Sequence, residues 1–297
     1  MLLLGGITSL PELATTSSAA AIGAGTLALN NILGTAAFNI LLLVVADAAL
    51  GRNALTAVIA RPATLLQGML GMLLLAAAAM AIVSGDAALP FLGVGVGSSL
   101  LLLLCIGAMW IASRYETRPT WVVVEESVEP APAESVEEAA GEGALWPRIA
   151  VLAAAIVVGG LLLSLSGEAI AQRTGVGEGV IGLILLAIAT SLPELTVITA
   201  AIRAGDCELA VGDVFGANLF NVAMIFIIDL VGGGGPILGA AGVFEAFAAL
   251  LALVLTGIFV LGLLERHDRT AFRMGYDSIA ALFVYAGGLV ILLGLGG

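Results

Sequence analysis

Polar residues are so sparse in this chain that they act as punctuation. Between them run apolar stretches, each about as long as the roughly 20 helical residues needed to cross a bilayer's hydrocarbon core. They span approximately 1–22, 27–50, 63–83, 89–113, 148–166, 177–203, 208–230, 237–264 and 275–295. In lipid no water is at hand to pair backbone N–H and C=O groups, so each stretch is predicted to be a helix. Of 297 residues 61% are hydrophobic and 11% charged, and the mean hydropathy is +1.16. One soluble core could not hide so much apolar surface. The opening MLLLGG has neither the charged start nor the cleavage site of a secretory signal, and is read as the beginning of the first helix. An all-α integral membrane protein of about nine helices is expected.

The charges divide by side. There is no Lys among the 10 basic residues. Arg52, Arg61, Arg114, Arg118, Arg148, Arg203, Arg266, Arg269 and Arg273 fall at ends that the alternation of helices assigns to one face, and Arg173 to the other. The positive-inside rule makes the first face cytoplasmic, with the C-terminus outside, in the cell's inner (plasma) membrane. The net charge of −12 mostly reflects one segment, since eight Glu lie between Tyr115 and Trp146. The chain thus divides into a first transmembrane half at 1–113, an acidic cytoplasmic linker at 114–147 and a second half at 148–297. The linker is Pro/Ala/Glu-rich and has no calcium-loop spacing, so it reads as solvated and disordered. No basic stripe exists for nucleic acid, and Cys105 and Cys207 have neither disulfide nor zinc spacing.

Inside this apolar background one polar pattern occurs twice. ITSLPELAT at 7–15 returns as ATSLPELTV at 189–197, and a shift of 182 residues extends the match from Thr8 on Thr190 to Asp47 on Asp229 without a gap. Gly23 falls on Gly205, Gly34 on Gly216, and Phe38-Asn39 on Phe220-Asn221. The identities are mostly small and polar, which shared hydrophobicity alone would not produce. An odd number of helices separates the copies, about 1–50 and 177–230. They therefore cross the membrane in opposite senses, the inverted-repeat plan from which many secondary transporters build a midplane site.

The repeated residues suit a cation. Pro11 and Pro193 bring no N–H to the carbonyls of Ile7 and Ala189, so each helix should kink and free an oxygen. Thr8 and Glu12 are four apart and share a helix face, as do Thr190 and Glu194, with Ser9 and Ser191 alongside. In the following helices Thr35 and Asn39 share a face, as do Ala217 and Asn221. Brought together about a pseudo-twofold axis, these supply two carboxylates, hydroxyls, amides and carbonyls. Such a hard-oxygen set fits Ca²⁺, with lesser oxygens nearby for Na⁺. Each hydroxyl could instead bond back to its own helix, and each Asn could join helices. A symmetric pair of ionisable residues at such depth, Glu12 and Glu194, is functional by default.

These segments resemble the α-repeats of the sodium/calcium exchanger branch of the calcium/cation antiporter superfamily, whose halves carry GTSLPEL followed by GN(V/I)xGSNxxN. The resemblance implies exchange of Ca²⁺ for Na⁺, H⁺ or K⁺, with no tightly bound cofactor and no enzymatic activity. It implies ion ligands at Thr8, Ser9, Glu12, Thr35, Asn39, Thr190, Ser191, Glu194 and Asn221. Departures stand at Ala36 for Asn, at Asp213 for Asn and at Ala217 for Ser. The last removes a hydroxyl assigned to Na⁺ and leaves H⁺ as a competitor. The family's halves carry five helices each, but Met1 falls on Leu183, giving four and five here. A helix from about 35 upstream residues, or from a partner subunit, is expected to complete the first half.

Asp47 and Asp229 could draw cations into the two vestibules or simply be paired, and Glu245 is left open. His267 reads as a surface residue. The competing functional class is a non-transporting fragment or scaffold subunit that keeps the fold. An intramembrane hydrolase has no HExxH and no Ser or Cys with a nearby base.

Overall fold

The computed structural model describes residues 2–50, 54–59, 61–90, 93–116, 145–265, 270–271 and 274–295. His267 and residues 117–144 of the acidic linker lie outside the described residues. The first half contains α1 (Leu2–Thr8), α2 (Leu10–Ala21), α3 (Gly25–Leu50), α4 (Leu55–Val58), α5 (Pro62–Ser84) and α6 (Val96–Glu116). The second begins with α7 (Leu145–Thr174) and continues with α8 (Glu178–Val180), a π-helical turn Ile181–Leu186, α9 (Ala187–Thr190) and α10 (Leu192–Arg203). It ends with α11 (Cys207–Gly232), α12 (Ile237–Ala240), α13 (Val243–Glu265), a two-stranded ribbon of β1 (Thr270–Ala271) and β2 (Met274–Gly275), and α14 (Tyr276–Leu295). Among the described residues seven unbroken helices can span a bilayer, and an eighth span, α8 to α10, bends by 42°. α1 and α2 are separated at Ser9, the residue corresponding to Ser191.

Three helices differ from their expected bounds. α7 runs on past residue 166 to Thr174, and within it Ser164 donates to the carbonyls of Gly160 and Thr15, both at 2.8 Å. α6 starts only at Val96, after a short bridge between Ala88 and Gly95. There Asp86 caps the new helix by accepting from Gly97 N at 2.7 Å and Ser98 N at 3.3 Å. The stretch 237–264 divides at Ala241-Gly242, where Glu245 accepts from Gly242 N at 2.8 Å and from Asn30 Nδ2 at 2.9 Å. Glu245 thus starts α13 and ties it to α3.

Burial is inverted relative to a soluble protein. Leu73, Met80, Val83, Val151, Phe283 and Val290 are all more than 60% exposed and form an outward apolar belt. Glu12, Thr15 and Thr16 of α2, Asn30, Asn31, Thr35 and Asn39 of α3, Glu194 of α10, and Asp213, Asn218 and Asn221 of α11 are buried. α3 and α11 form the centre, and each receives the broken helix of the other repeat: α1 packs on α11, and the π-helical turn packs on α3. Glycine makes both approaches possible. A Cβ on Gly5 would lie 2.7 Å from Ala217 N, and one on Gly34 would lie 2.2 Å from Leu183 O.

Asp47 and Asp229 are not vestibule residues. Both are buried, and both are saturated by backbone donors in matching ways. Asp47 accepts from Leu55 N and Gly275 N, each at 2.6 Å. Asp229 accepts from Ile237 N at 2.7 Å, from Gly95 N at 2.8 Å and from the Ser98 hydroxyl. Each carboxylate closes the turn after its own long helix and holds the residue that precedes the last helix of the other half. The two halves are therefore fastened to each other near both membrane faces.

Candidate cation-binding site

α2 and α10 both open on Leu-Pro-Glu, and Pro in a first turn costs nothing because its missing N–H would be an orphan there. The helices break one residue earlier. Ser9 has φ −79°, ψ 7° and Ser191 has φ −83°, ψ 4°, nearly identical departures from helix. Each break sets a glutamate at the start of a half-helix, where the backbone N–H groups point toward negative charge.

All nine residues singled out from the sequence are buried: Thr8, Ser9, Glu12, Thr35, Asn39, Thr190, Ser191, Glu194 and Asn221. Their bonding divides them. Glu12 and Glu194 are 0% exposed, and no oxygen of either carboxylate accepts a well-formed hydrogen bond. The hydroxyls of Ser9 and Ser191 are equally without partners. Thr8 and Thr190 do bond back to their own helices, at 3.1 Å to Gly5 O and 3.0 Å to Leu186 O. They also reach across: Thr8 to Asp213 Oδ1 at 3.4 Å, and Thr190 to Asn31 Oδ1 at 3.5 Å and the Thr35 hydroxyl at 3.4 Å. Thr8 lies beside Glu194 and Thr190 beside Glu12, so each threonine neighbours the other repeat's acid.

One asymmetry has a simple cause. Asn39 Nδ2 donates to Asn218 Oδ1 at 3.1 Å, and Asn218 Nδ2 donates to Ala36 O at 3.1 Å. The 182-residue shift puts Ala36 where the second half has Asn218, so Asn221 finds no amide opposite. Both polar atoms of the Asn221 side chain are indeed unpartnered, as is Asn39 Oδ1.

Asp213 was legible only as a departure from a motif, yet it is 0% exposed and within electrostatic reach of both glutamates. Among the described residues no three His, Cys, Asp or Glu side chains converge tightly enough to hold a metal ion by themselves. A cation held here would draw on hydroxyls, amides and carbonyls as well as carboxylates, as a hard cation of variable coordination does. Unbonded buried acids are otherwise among the costliest groups a protein can carry.

Two inverted repeats crossing at a buried oxygen cluster define a cation-transporter fold. The comparisons give the family: residues 145–294 match the model of the sodium/calcium exchanger protein family, and this chain belongs to it. It is 30% identical over 268 residues to the "putative antiporter CaxA" of Alkalimonas amylolytica, covering 88% of this chain and 78% of that protein. Among solved structures, an H⁺/Ca²⁺ exchanger, CAX, superposes with a TM-score of 0.65 at 15% identity, over 98% of this chain and 76% of that one. The sodium-calcium exchanger NCX_Mj superposes with a TM-score of 0.58 at 19% identity, over 97% and 84%.

Proposed function

We propose that this chain is a secondary active antiporter that moves Ca²⁺ or a similar divalent cation across the membrane in exchange for Na⁺ or H⁺. The observation that carries the proposal is the pair Glu12 and Glu194, one from each repeat, both fully buried and both without a well-formed hydrogen bond. A carboxylate in such surroundings has two states of low energy, one facing a cation and one protonated. A divalent cation and its counter-ion therefore compete for the same two groups, and this competition couples their movements. Ser9, Ser191, Asn221 and Asn39 supply neutral oxygens, and Thr8, Thr35 and Thr190 link the two repeats around the glutamates. Because the repeats enter from opposite faces, shifts of one broken helix against the other expose the same site alternately to either side.

Ala217 favours H⁺ as the counter-ion. It stands on the site face of α11 where a hydroxyl would add a neutral ligand of the kind Na⁺ uses, and it is fully buried. The Arg distribution supports a cytoplasmic linker in this reading. The test is ⁴⁵Ca²⁺ accumulation in proteoliposomes driven by a pH gradient or by a Na⁺ gradient. Accumulation under the pH gradient supports H⁺ coupling, accumulation only under the Na⁺ gradient reverses the counter-ion, and none under either removes the exchanger reading in favour of a non-transporting membrane protein.

A further inference from the structure

Positions 31 and 213 correspond in the two repeats, but one holds an amide and the other a carboxylate. Each sits in the second turn of its long helix, and α3 and α11 run in opposite directions. The two residues consequently flank the glutamates from opposite sides. Asn31 lies toward the face where α3 begins and meets Thr190. Asp213 lies toward the face where α11 begins, which is also where α6 ends and α7 starts, and it meets Thr8.

Asp213 is built like a ligand that lacks its ion. It is fully buried, its Oδ2 has no partner, and its Oδ1 has one long contact of 3.4 Å with a hydroxyl. It stands four residues before Ala217 and eight before Asn221, so the three line one face of α11, as Asn31, Thr35 and Asn39 line one face of α3. Along that face a carboxyl group stands one turn nearer the linker side than the hydroxyl missing at 217. Arg61 is paired with Glu208, at 2.5 Å.

We infer that Asp213 is a further ligand for the transported divalent cation, engaged when the site is open to the face where α6 ends and α7 begins. The inference rests on the exchanger reading above and adds sidedness to it. A carboxylate holds a divalent cation more strongly than an amide does, so binding is tighter from the Asp213 side than from the Asn31 side. A transporter built this way loads from a dilute compartment on one face and releases into a concentrated one on the other.

The test measures initial ⁴⁵Ca²⁺ uptake against Ca²⁺ concentration in right-side-out and inverted membrane vesicles. A protease site placed in the 114–147 linker reports which face is outside. Asp213→Asn, which keeps shape and removes charge, should raise the half-saturating Ca²⁺ about tenfold on the linker face and leave the other within about twofold, the scale of one lost charge-assisted contact. Asn31→Asp should lower it on the opposite face, and decides the question if Asp213→Asn does not insert. Equal effects on both faces, as a packing role would give, or unchanged affinity in Asp213→Asn while the wild type transports normally, would overturn the inference and leave the exchanger reading standing. Absence of driven flux in the wild type overturns both.

Discussion

At the scale of single residues, the chain keeps polar groups where lipid-facing proteins can least tolerate them and leaves several unbonded. Asn221 illustrates how such a group arises: one substitution in the opposite repeat, Ala36, removes its partner, and its amide is left for a ligand. Ala217 is the inverse case, a buried position four residues before Asn221 with no oxygen to offer. We expect Ala217→Ser to increase the Na⁺ dependence of Ca²⁺ flux, measured as the flux ratio under Na⁺ and pH gradients. An unchanged ratio would mean that position 217 only packs against Gly5. Eight of the nine proposed ligands stand out in the sequence because the repeat displays them twice, and Thr35 stands out by its place four residues before Asn39. Asp213 could not be found that way, since a motif comparison registers it as a mismatch, and its burial beside Thr8 requires the fold.

At the scale of elements, the helices were legible because lipid leaves an apolar stretch almost no other conformation. The breaks were half legible. Proline marked them, but the residues that leave helical geometry are Ser9 and Ser191, and the π-helical turn before the second break has no sequence signature. That turn packs closely on α3, so Gly34→Ala should force the backbones apart. We expect it to cost roughly 1–3 kcal/mol in thermal unfolding in detergent. Gly71→Ala, buried in α5 with no atom within 4 Å of the added methyl, should be neutral or stabilise by up to about 1 kcal/mol through helix propensity. If both variants melt alike, close approach is not what position 34 provides. α10 differs from its counterpart in one further respect. α7 seats Gly160 and Ser164 against Ala14 and Thr15 of α2, whereas Thr196, which corresponds to Ala14, is exposed.

At the scale of the whole molecule, two halves of opposite orientation share one centre and are clasped by Asp47 and Asp229 at both faces. The sequence showed that these two aspartates correspond, but only the tertiary structure reveals that each reaches into the other half. Asp229→Ala strands several buried donors, so we expect a loss of roughly 2–3 kcal/mol of stability with wild-type ion selectivity among the molecules that remain folded. A change of selectivity without loss of stability would return Asp229 to the ion path. What matters most is whether one acid from each repeat forms a single transport site. That is measured by gradient-driven ⁴⁵Ca²⁺ flux in proteoliposomes containing folded wild type, Glu12→Gln or Glu194→Gln. We expect each isosteric variant to abolish driven flux as completely as the other, because the cation needs both charges at once. Wild-type flux in either variant would contradict a shared site.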